Sequence, residues 1–264
     1  MAQETLIRLG AFGAVFALFG LWEYLAPRRV LRVAKRVRWR TNLALVVIDS
    51  LALRLVALAV PLLAVGAAVD AGRLHWGLLN QIALPGWLEV VVALLALDLA
   101  IWAQHLVTHK VPLFWRFHRV HHADRDMDVT TGVRFHPVEI AASMLLKVAL
   151  VYGLGPSSLA VLVFEVLLNG TALFNHANLA LPGWVDAPLR LLLVTPDLHR
   201  IHHSNQRCEH DSNYGFSLSL WDRLFGTYRA SPVMGQEAMT VGLEWQADQP
   251  QRLGWSLWLP FRRR

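Results

Sequence analysis

Residues 84–109 read LPGWLEVVVALLALDLAIWAQHLVTH. The segment Leu84–Gln104 is apolar apart from Glu89, Asp98 and Gln104, and about 20 apolar residues are enough for a helix to span the hydrocarbon core of a membrane. His105 and His109 follow directly, and their spacing of four places both imidazoles on one face of a continuing helix. The stretch therefore predicts a transmembrane helix that carries polar chemistry at one end.

Further apolar stretches lie on both sides of this helix, at Leu6–Leu25, Asn42–Val69, Val138–Tyr152 and Ser157–Phe174. The last two are slightly short and are joined by Gly153-Leu154-Gly155-Pro156, which predicts a tight hairpin that either crosses the bilayer or enters it and returns. The first lacks a small-x-small cleavage site, so we expect a retained helix and not a cleaved leader. The chain has 264 residues, of which 55% are hydrophobic and 17% are charged. This composition and the apolar stretches predict an all-α, multi-spanning transmembrane helical bundle.

Basic residues are concentrated in one interhelical loop. The loop after the first helix contains Arg28, Arg29, Arg32, Lys35, Arg36, Arg38 and Arg40, whereas residues 70–86 contain only Arg73. The positive-inside rule places the first loop in the cytoplasm. Segments 105–136 and 176–230 then emerge on the same side, as a cytoplasmic helical cap that contains nearly every histidine. The net charge of +6 lies in blocks between apolar stretches, which favours an anionic membrane surface over nucleic acid.

Eight of the twelve histidines form three groups with helical spacing. The groups are His105 and His109; His118, His121 and His122; and His199, His202 and His203. Spacings of three and four residues point the rings of each group to one side of a helix. Three short helices thus supply eight imidazoles, enough for a dimetal site. The single cysteine, Cys208, excludes a disulfide framework and a multi-cysteine metal site.

The type of metal is not fixed by these spacings. A zinc protease needs glutamate after the first histidine of His-x-x-x-His, and this chain has Leu106 there. Soluble di-iron bundles use Glu-x-x-His pairs, and no glutamate here has a histidine three residues later. Imidazole binds iron, zinc, copper and nickel, so ligand type leaves these four metals open.

Three sequence motifs resemble the histidine boxes of the fatty acid hydroxylase/sterol desaturase superfamily. They are His105-Leu-Val-Thr-His109, His118-Arg-Val-His-His122 and His199-Arg-Ile-His-His203. Arg134-Phe-His-Pro137, Asn213-Tyr-Gly215 and Trp221-Asp-Arg-Leu-Phe-Gly-Thr227 extend the similarity over roughly residues 85–230. The resemblance implies a catalytic domain over 85–230, after N-terminal transmembrane helices over 1–84 and before a C-terminal interfacial tail over 231–264.

The resemblance also implies an activity. It predicts an integral-membrane oxidoreductase with two iron ions, which zinc can replace in purified protein. Such an enzyme hydroxylates a C–H position of a lipid taken from the bilayer, using O2 and electrons from a cytochrome b5-like protein or a ferredoxin and its reductase. A desaturase with the same site is the alternative. A membrane metal carrier without oxidation chemistry is a further alternative, but it would place ligands along a path across the membrane. Both a bacterial inner membrane and the endoplasmic reticulum remain candidate locations.

Five residues outside the boxes are also candidates for the site. His136 precedes Pro137 at a predicted helix start, and His176 lies where the hairpin returns, so both are candidate ligands. Some relatives have a histidine pair where this chain has His176 alone, so at most ten ligands are expected. Asp98, Asp197 and His210 are candidates for orienting ligand rings through hydrogen bonds, although Asp98 could equally join two helices.

Overall fold

The structure is a computed structural model that describes residues 2–60, 63–245 and 249–262. Within these residues it contains helices and isolated bridges but no strand. The long helices are α1 (Ala2–Leu25), α2 (Lys35–Ala59), α3 (Ala64–Leu74), α4 (Gly86–Lys110), α5 (Pro112–His122), α6 (Pro137–Leu154) and α7 (Ser158–His176). The short ones are α8 (Gly183–Leu189), α9 (Pro196–His202), α10 (Arg207–His210), α11 (Leu220–Leu224), α12 (Gly235–Ala238) and α13 (Leu253–Trp258).

Five segments of the described chain are long and apolar enough to cross a membrane, and they begin with α1, α2, α4, α6 and α7. Large apolar side chains project outward from these helices, such as Leu6, which is 70% exposed, and Leu58, which is 81% exposed. Such exposure is costly in water and favourable in lipid. The predicted multi-spanning helical bundle is therefore confirmed.

The second apolar stretch differs from the prediction of one helix over Asn42–Val69. Helix α2 ends at Ala59 and a separate helix, α3, begins at Ala64. The sequence has Pro61 between them, and proline lacks the amide hydrogen that continues a helix. Helix α3 turns a face of alanines towards α6 and α7, where Val148, Val151 and Val161 pack against it.

The two predicted helices and the short turn between them are confirmed as α6 and α7, with longer arms than the sequence indicates, but the two helices pack mainly on other helices and not on each other. At about 1.5 Å per residue, helices of 18 and 19 residues rise close to the thickness of a hydrocarbon core. Helix α6 ends at Leu154 and is capped by Gly155, whose φ of +68° is the left-handed conformation that glycine adopts without strain. The Glu89 carboxylate accepts hydrogen bonds from the amide and the hydroxyl of Ser157, both at 2.8 Å, and joins the turn to the start of α4.

The C-terminal segment packs on the histidine-rich end of the bundle. Trp255 and Leu259 are buried in one cluster with Leu45 and Val120, so they bridge α2 and α5. Trp258 and Phe261 are exposed. The interfacial tail thus stays a prediction for these two aromatic residues, whereas Trp255 belongs to the protein core.

Candidate metal centre

The structure brings nine histidines together in two buried clusters. One cluster consists of His105, His109, His118, His122 and His202, and the other of His121, His176, His199 and His203. In each cluster, one ligand nitrogen per ring lies within 4.8 Å of all the others. Both clusters combine residues from different boxes, because α4, α5, α7 and α9 converge at one end of the bundle. The two clusters share no residue, which matches two separate ion sites.

The nitrogen–nitrogen distances within the clusters suit metal binding. His176 Nε2 lies 3.1 Å from His121 Nε2, 3.1 Å from His199 Nε2 and 3.2 Å from His203 Nε2. In the other cluster His105 Nε2 lies 3.1 Å from His118 Nε2. Neighbouring ligands at right angles, with metal–nitrogen bonds of about 2.1 Å, are separated by about 3.0 Å. One ring cannot hydrogen-bond three others through a single nitrogen, so a shared ion explains this convergence better.

Backbone carbonyls set the direction of four rings. His105 Nδ1 donates to the carbonyl of Tyr214, and His202 Nδ1 donates to that of Ser212, both at 2.7 Å. His121 Nδ1 and His176 Nδ1 donate to carbonyls of Arg134 and Ala172. A carbonyl oxygen only accepts, so Nδ1 of each ring holds the proton and Nε2 keeps a free lone pair directed into its cluster.

A fifth ring is held by a carboxylate that the sequence analysis did not single out. Glu139 Oε1 lies 2.6 Å from His118 Nδ1. Glu139 is in the first turn of α6, two residues after Pro137, and the fold places this turn against α5. An acidic residue at the start of an apolar helix is a weak signal for such a contact, because N-terminal helix turns commonly contain acids.

Burial favours the neutral form of five imidazoles in the two clusters. It is the largest of the causes that lower the pKa values of His121, His122, His199, His202 and His203 well below the ordinary 6.5. His122 Nε2 and His202 Nε2 are buried with no hydrogen-bond partner in the described parts of the chain. Leaving such atoms unpaired costs free energy. Neutral, unpaired and converging nitrogens fit a bound transition metal.

A buried polar network fixes the loop after the second box. Arg38 of α2 is 2% exposed, and it donates to both carboxylate oxygens of Asp124 at 2.7 Å and to Asp128 at 2.5 Å. Arg134 donates to the carbonyl of Val120 and to Asn42 Oδ1. These contacts fix both ends of the loop. The Arg134 carbonyl is therefore held in place to orient His121.

A second network holds the turn after the third box. The Asp222 carboxylate accepts hydrogen bonds from the amides of Tyr214 and Gly215 at 2.8 Å and from Trp102 Nε1 at 3.0 Å. Asp222 is fully buried. Asp222 thus connects the turn at Tyr214, whose carbonyl accepts the hydrogen bond from His105, to helix α4. The motif Trp221–Thr227 therefore supports the site indirectly, by holding this turn.

His136 lies outside both clusters. Its Nδ1 accepts a hydrogen bond from the Val138 amide and caps α6, and its Nε2 lies 3.3 Å from the Leu257 carbonyl. Its ring packs between Phe117 and Phe261. With both nitrogens in contact with backbone, His136 acts as a helix cap, and we leave it out of the proposed ligand set.

The three candidates for orienting residues have different surroundings, and Asp98 has the helix-joining contact that the sequence left open as its alternative role. Asp98 accepts a hydrogen bond from Trp221 Nε1 at 2.8 Å, so it joins α4 to α11 and contacts no histidine. Asp197 pairs with Arg28 and Arg200. The His210 ring stacks on Trp115 and lies 5.9 Å from the His109 ring. Only His210 adjoins the clusters.

A cavity adjoins the five-histidine cluster. It has a volume of about 160 Å³, and His105, His118, Phe135, Ile140, Leu168 and Phe216 line it. It lies between α4, α6 and α7, on the side of the histidines that faces the membrane-spanning part of the bundle.

The fold and the site define a membrane-helix protein with paired histidine clusters, and comparison with known proteins gives its family. The family model described as fatty acid hydroxylase matches residues 90–227, slightly more than half of the chain. The chain therefore belongs to the fatty acid hydroxylase family, as the sequence motifs indicate. No solved structure matches the chain significantly.

Several characterised proteins are similar over about half of this chain. Ornithine lipid hydroxylase of Rhizobium tropici is 31% identical over 54% of this chain and 43% of its own length. Alkylglycerol monooxygenase of Homo sapiens is 32% identical over 52% of this chain and 30% of its own length. Cholesterol 25-hydroxylase of Rattus norvegicus is 28% identical over 54% of this chain and 48% of its own length. The similarity thus spans less than half of each relative.

Proposed function

We propose that this protein is an integral-membrane di-iron oxygenase that hydroxylates a C–H position of a membrane lipid. The observation that carries the proposal is the pair of buried clusters with five and four histidines at the end of a transmembrane bundle. Family membership supports an oxygenase over a metal carrier. In addition, the ligands are grouped at one end of the helices and do not follow a path across the membrane.

Iron is the metal that we propose for both clusters. The rings offer neutral nitrogen donors, which suit iron, zinc, copper and nickel. Iron is supported by the relatives, whose names describe hydroxylases and monooxygenases. When bound, iron supplies the O2 chemistry that oxidises an unactivated C–H bond. The overall reaction is R–H + O2 + 2 electrons + 2 protons → R–OH + H2O.

The protein's own residues position the reactants and exclude water. Tyr214, Ser212 and Glu139 hold ligand rings in fixed directions, so the metal geometry does not depend on mobile side chains. Phe135 and Phe216 form apolar parts of the cavity wall next to the clusters. An apolar wall favours an alkyl group over water near the reacting carbon.

Hydroxylation is proposed ahead of desaturation. The three relatives compared above are named for hydroxylation or monooxygenation. The same site would serve a desaturase, which removes two hydrogen atoms from neighbouring carbons and adds no oxygen. The two outcomes differ in how the substrate carbons lie relative to the metals.

We also propose that the histidine clusters face the cytoplasm and receive electrons there. The block of arginines between α1 and α2 supports this orientation through the positive-inside rule. A cytochrome b5-like protein or a ferredoxin with its reductase is the proposed donor. Arg32, Arg36 and Arg40 are exposed and would attract an acidic surface of such a donor.

Oxygen-isotope labelling in membranes tests the activity. Cells that produce the protein are grown under ¹⁸O2, and extracted lipids are compared by mass spectrometry with lipids from cells that produce the His202→Ala variant. Hydroxylated lipids that contain ¹⁸O and depend on His202 support the proposal. New double bonds without ¹⁸O would instead identify a desaturase, and unchanged lipids in both cultures, with iron bound to the protein, would contradict an oxygenase acting on host lipids.

A further inference from the structure

An apolar groove runs along the membrane-spanning surface between α4 and α6. Its main part has a volume of about 660 Å³, and Ala100, Ala103, Val107, Ala142, Leu146 and Leu150 form much of its lining. A second groove of about 320 Å³ continues it and shares Ala100, Leu146 and Leu150 with it. On α6 the main groove extends from Val138 to Leu150, about 18 Å of helix.

The groove exists because α6 stands apart from its neighbours. Helix α4 packs mainly on α5 and α7, and α6 packs mainly on α2 and α3. Among the described residues, neither α4 nor α7 packs extensively against α6. Small side chains such as Ala103 and Ala142 widen the gap. In a membrane this gap faces hydrocarbon, so lipid chains and not water would fill it.

The groove meets the cavity beside the histidine clusters at a neck, which we define by the residues that line both. The groove and the 160 Å³ cavity share four lining residues, namely Gln104, Thr108, Glu139 and Ser143. One side-chain hydrogen bond crosses the neck, from the Ser143 hydroxyl to Gln104 Oε1 at 3.3 Å. On the opposite side of the cavity, between α6 and α7, Lys147 pairs with Glu165 at 3.2 Å. An alkyl chain can therefore approach along apolar side chains only from the groove, and it then passes the four polar residues of the neck.

We propose that the groove between α4 and α6 is the entry path and holding site for one alkyl chain of a membrane lipid. The neck at Gln104 and Ser143 admits a flexible chain into the cavity and stops a fused ring system. This inference rests on the proposed function and narrows its substrate class: the oxidised carbon belongs to an alkyl or acyl chain and not to a sterol ring.

The size of the cavity supports this restriction. An engineered cavity of about 150 Å³ in another protein holds one benzene molecule. A cavity of about 160 Å³ next to His105 and His118 therefore has room for a section of about six carbons. A fused four-ring nucleus is far larger, whereas the remainder of a long chain can lie in the 660 Å³ groove.

Photolabelling with two lipid probes tests the path without catalysis. Purified protein in phosphatidylcholine nanodiscs, without an electron donor, is irradiated with a fatty acid that has a diazirine on its last carbon, or with a sterol that has a diazirine on its ring system. Labelled peptides are then mapped by mass spectrometry. The fatty acid is expected to label Ile140 or Leu168 in the cavity wall and residues of the groove. The sterol is expected to label the groove surface alone.

Two variants and a matched control make the test specific. Ser143→Phe places a ring in the neck and is expected to lower cavity labelling by the fatty acid at least about 10-fold while groove labelling persists. Ala142→Phe fills the groove itself and is expected to lower both. Ala14→Phe adds the same ring to an exposed face of α1 and is expected to change neither.

The labelling results test the proposed lipid path independently of the oxygenase proposal. Equal cavity labelling in wild type and Ser143→Phe would place the entrance elsewhere, and equal labelling by the sterol ring would overturn the alkyl-chain restriction. Iron binding is measured on the same samples. Expected labelling in protein that binds no iron would support the lipid path and contradict the oxygenase. Iron-loaded protein without cavity labelling would contradict the lipid path and leave the oxygenase proposal intact.

Discussion

Single hydrogen-bond acceptors decide which nitrogen of five imidazoles faces the clusters. Carbonyl acceptors at 2.7 Å hold the Nδ1 protons of His105 and His202, and a carboxylate at 2.6 Å lies beside that of His118. Sequence spacing predicts that the rings share a side, but it has no information on these acceptors. Four of the five acceptors are backbone carbonyls, which every residue type supplies, so only the folded structure reveals them.

Substitution of Glu139 tests whether the orientation of the His118 ring matters for iron binding. Glu139→Ala removes the acceptor from His118, so we expect iron affinity to fall by about 10- to 100-fold. Glu139→Gln keeps an oxygen that can accept the Nδ1 proton and should retain most of the affinity. Affinity is measured by competition with a chelator. Equal affinity of the alanine variant and wild type would show that His118 needs no such support.

His176 is a proposed metal ligand, whereas His136 caps a helix. His176 Nε2 lies within 3.2 Å of three other ring nitrogens, whereas both nitrogens of His136 contact backbone. We expect His176→Ala to lose about one iron ion per chain and His136→Ala to keep both. Metal analysis of the two variants checks this, and iron loss in His136→Ala with His176→Ala unchanged would reverse the assignment.

At the scale of elements, the predicted helices of the three boxes are confirmed as α4, α5 and α9. Helices α6 and α7 are confirmed with the turn between them at Gly155. The prediction of one undivided helix over Asn42–Val69 is wrong. The mean hydropathy of this long stretch is high throughout and does not reveal the break that one proline causes. The gap between α4 and α6 could not be predicted, because hydropathy shows that helices span lipid but not which helices pack together.

Helix α2 stabilises the second box through Arg38. This guanidinium is buried against Asp124 and Asp128, and removing one partner of a buried ion pair leaves an uncompensated charge. We expect Arg38→Met to lower the free energy of unfolding by about 3–5 kcal/mol. Arg36→Met, at an exposed position of the same helix, should change it by less than about 0.5 kcal/mol. Thermal unfolding in detergent compares the two, and equal midpoints would contradict this role of α2.

The same ion pair predicts a pH dependence. Among the groups that act on Asp124, Arg38 is the main cause that lowers its pKa from 3.8 to about 2, against the opposing effect of burial. Because the folded-state pKa is depressed, the stabilisation is present above about pH 4 and is lost as the pH falls towards 2. Its size is about 2 kcal/mol. We expect Asp124→Asn to be less stable at pH 7 and to show a smaller loss of stability between pH 5 and 3 than wild type.

At the scale of the whole molecule, the sequence places most histidines at one end of a transmembrane bundle, and the structure has this arrangement for nine of them. The cytoplasmic location of that end stays a prediction from the arginine distribution. The C-terminal segment was harder to predict. Its tryptophans are typical of an interface, yet Trp255 is buried on α2 and α5, because amphipathic composition does not distinguish lipid from a protein groove.

Metal analysis of the purified protein tests the central claim most directly. Iron is measured after reconstitution with ferrous iron, in wild type, in a His202→Ala/His203→Ala variant and in His75→Asn as the control far from the clusters. His202 and His203 belong to different clusters, so the double variant weakens both sites. We expect about two iron ions per chain in wild type and in the control, and a loss of both in the double variant. No bound iron in wild type, or equal iron in all three proteins, would contradict a di-iron centre built from these histidines.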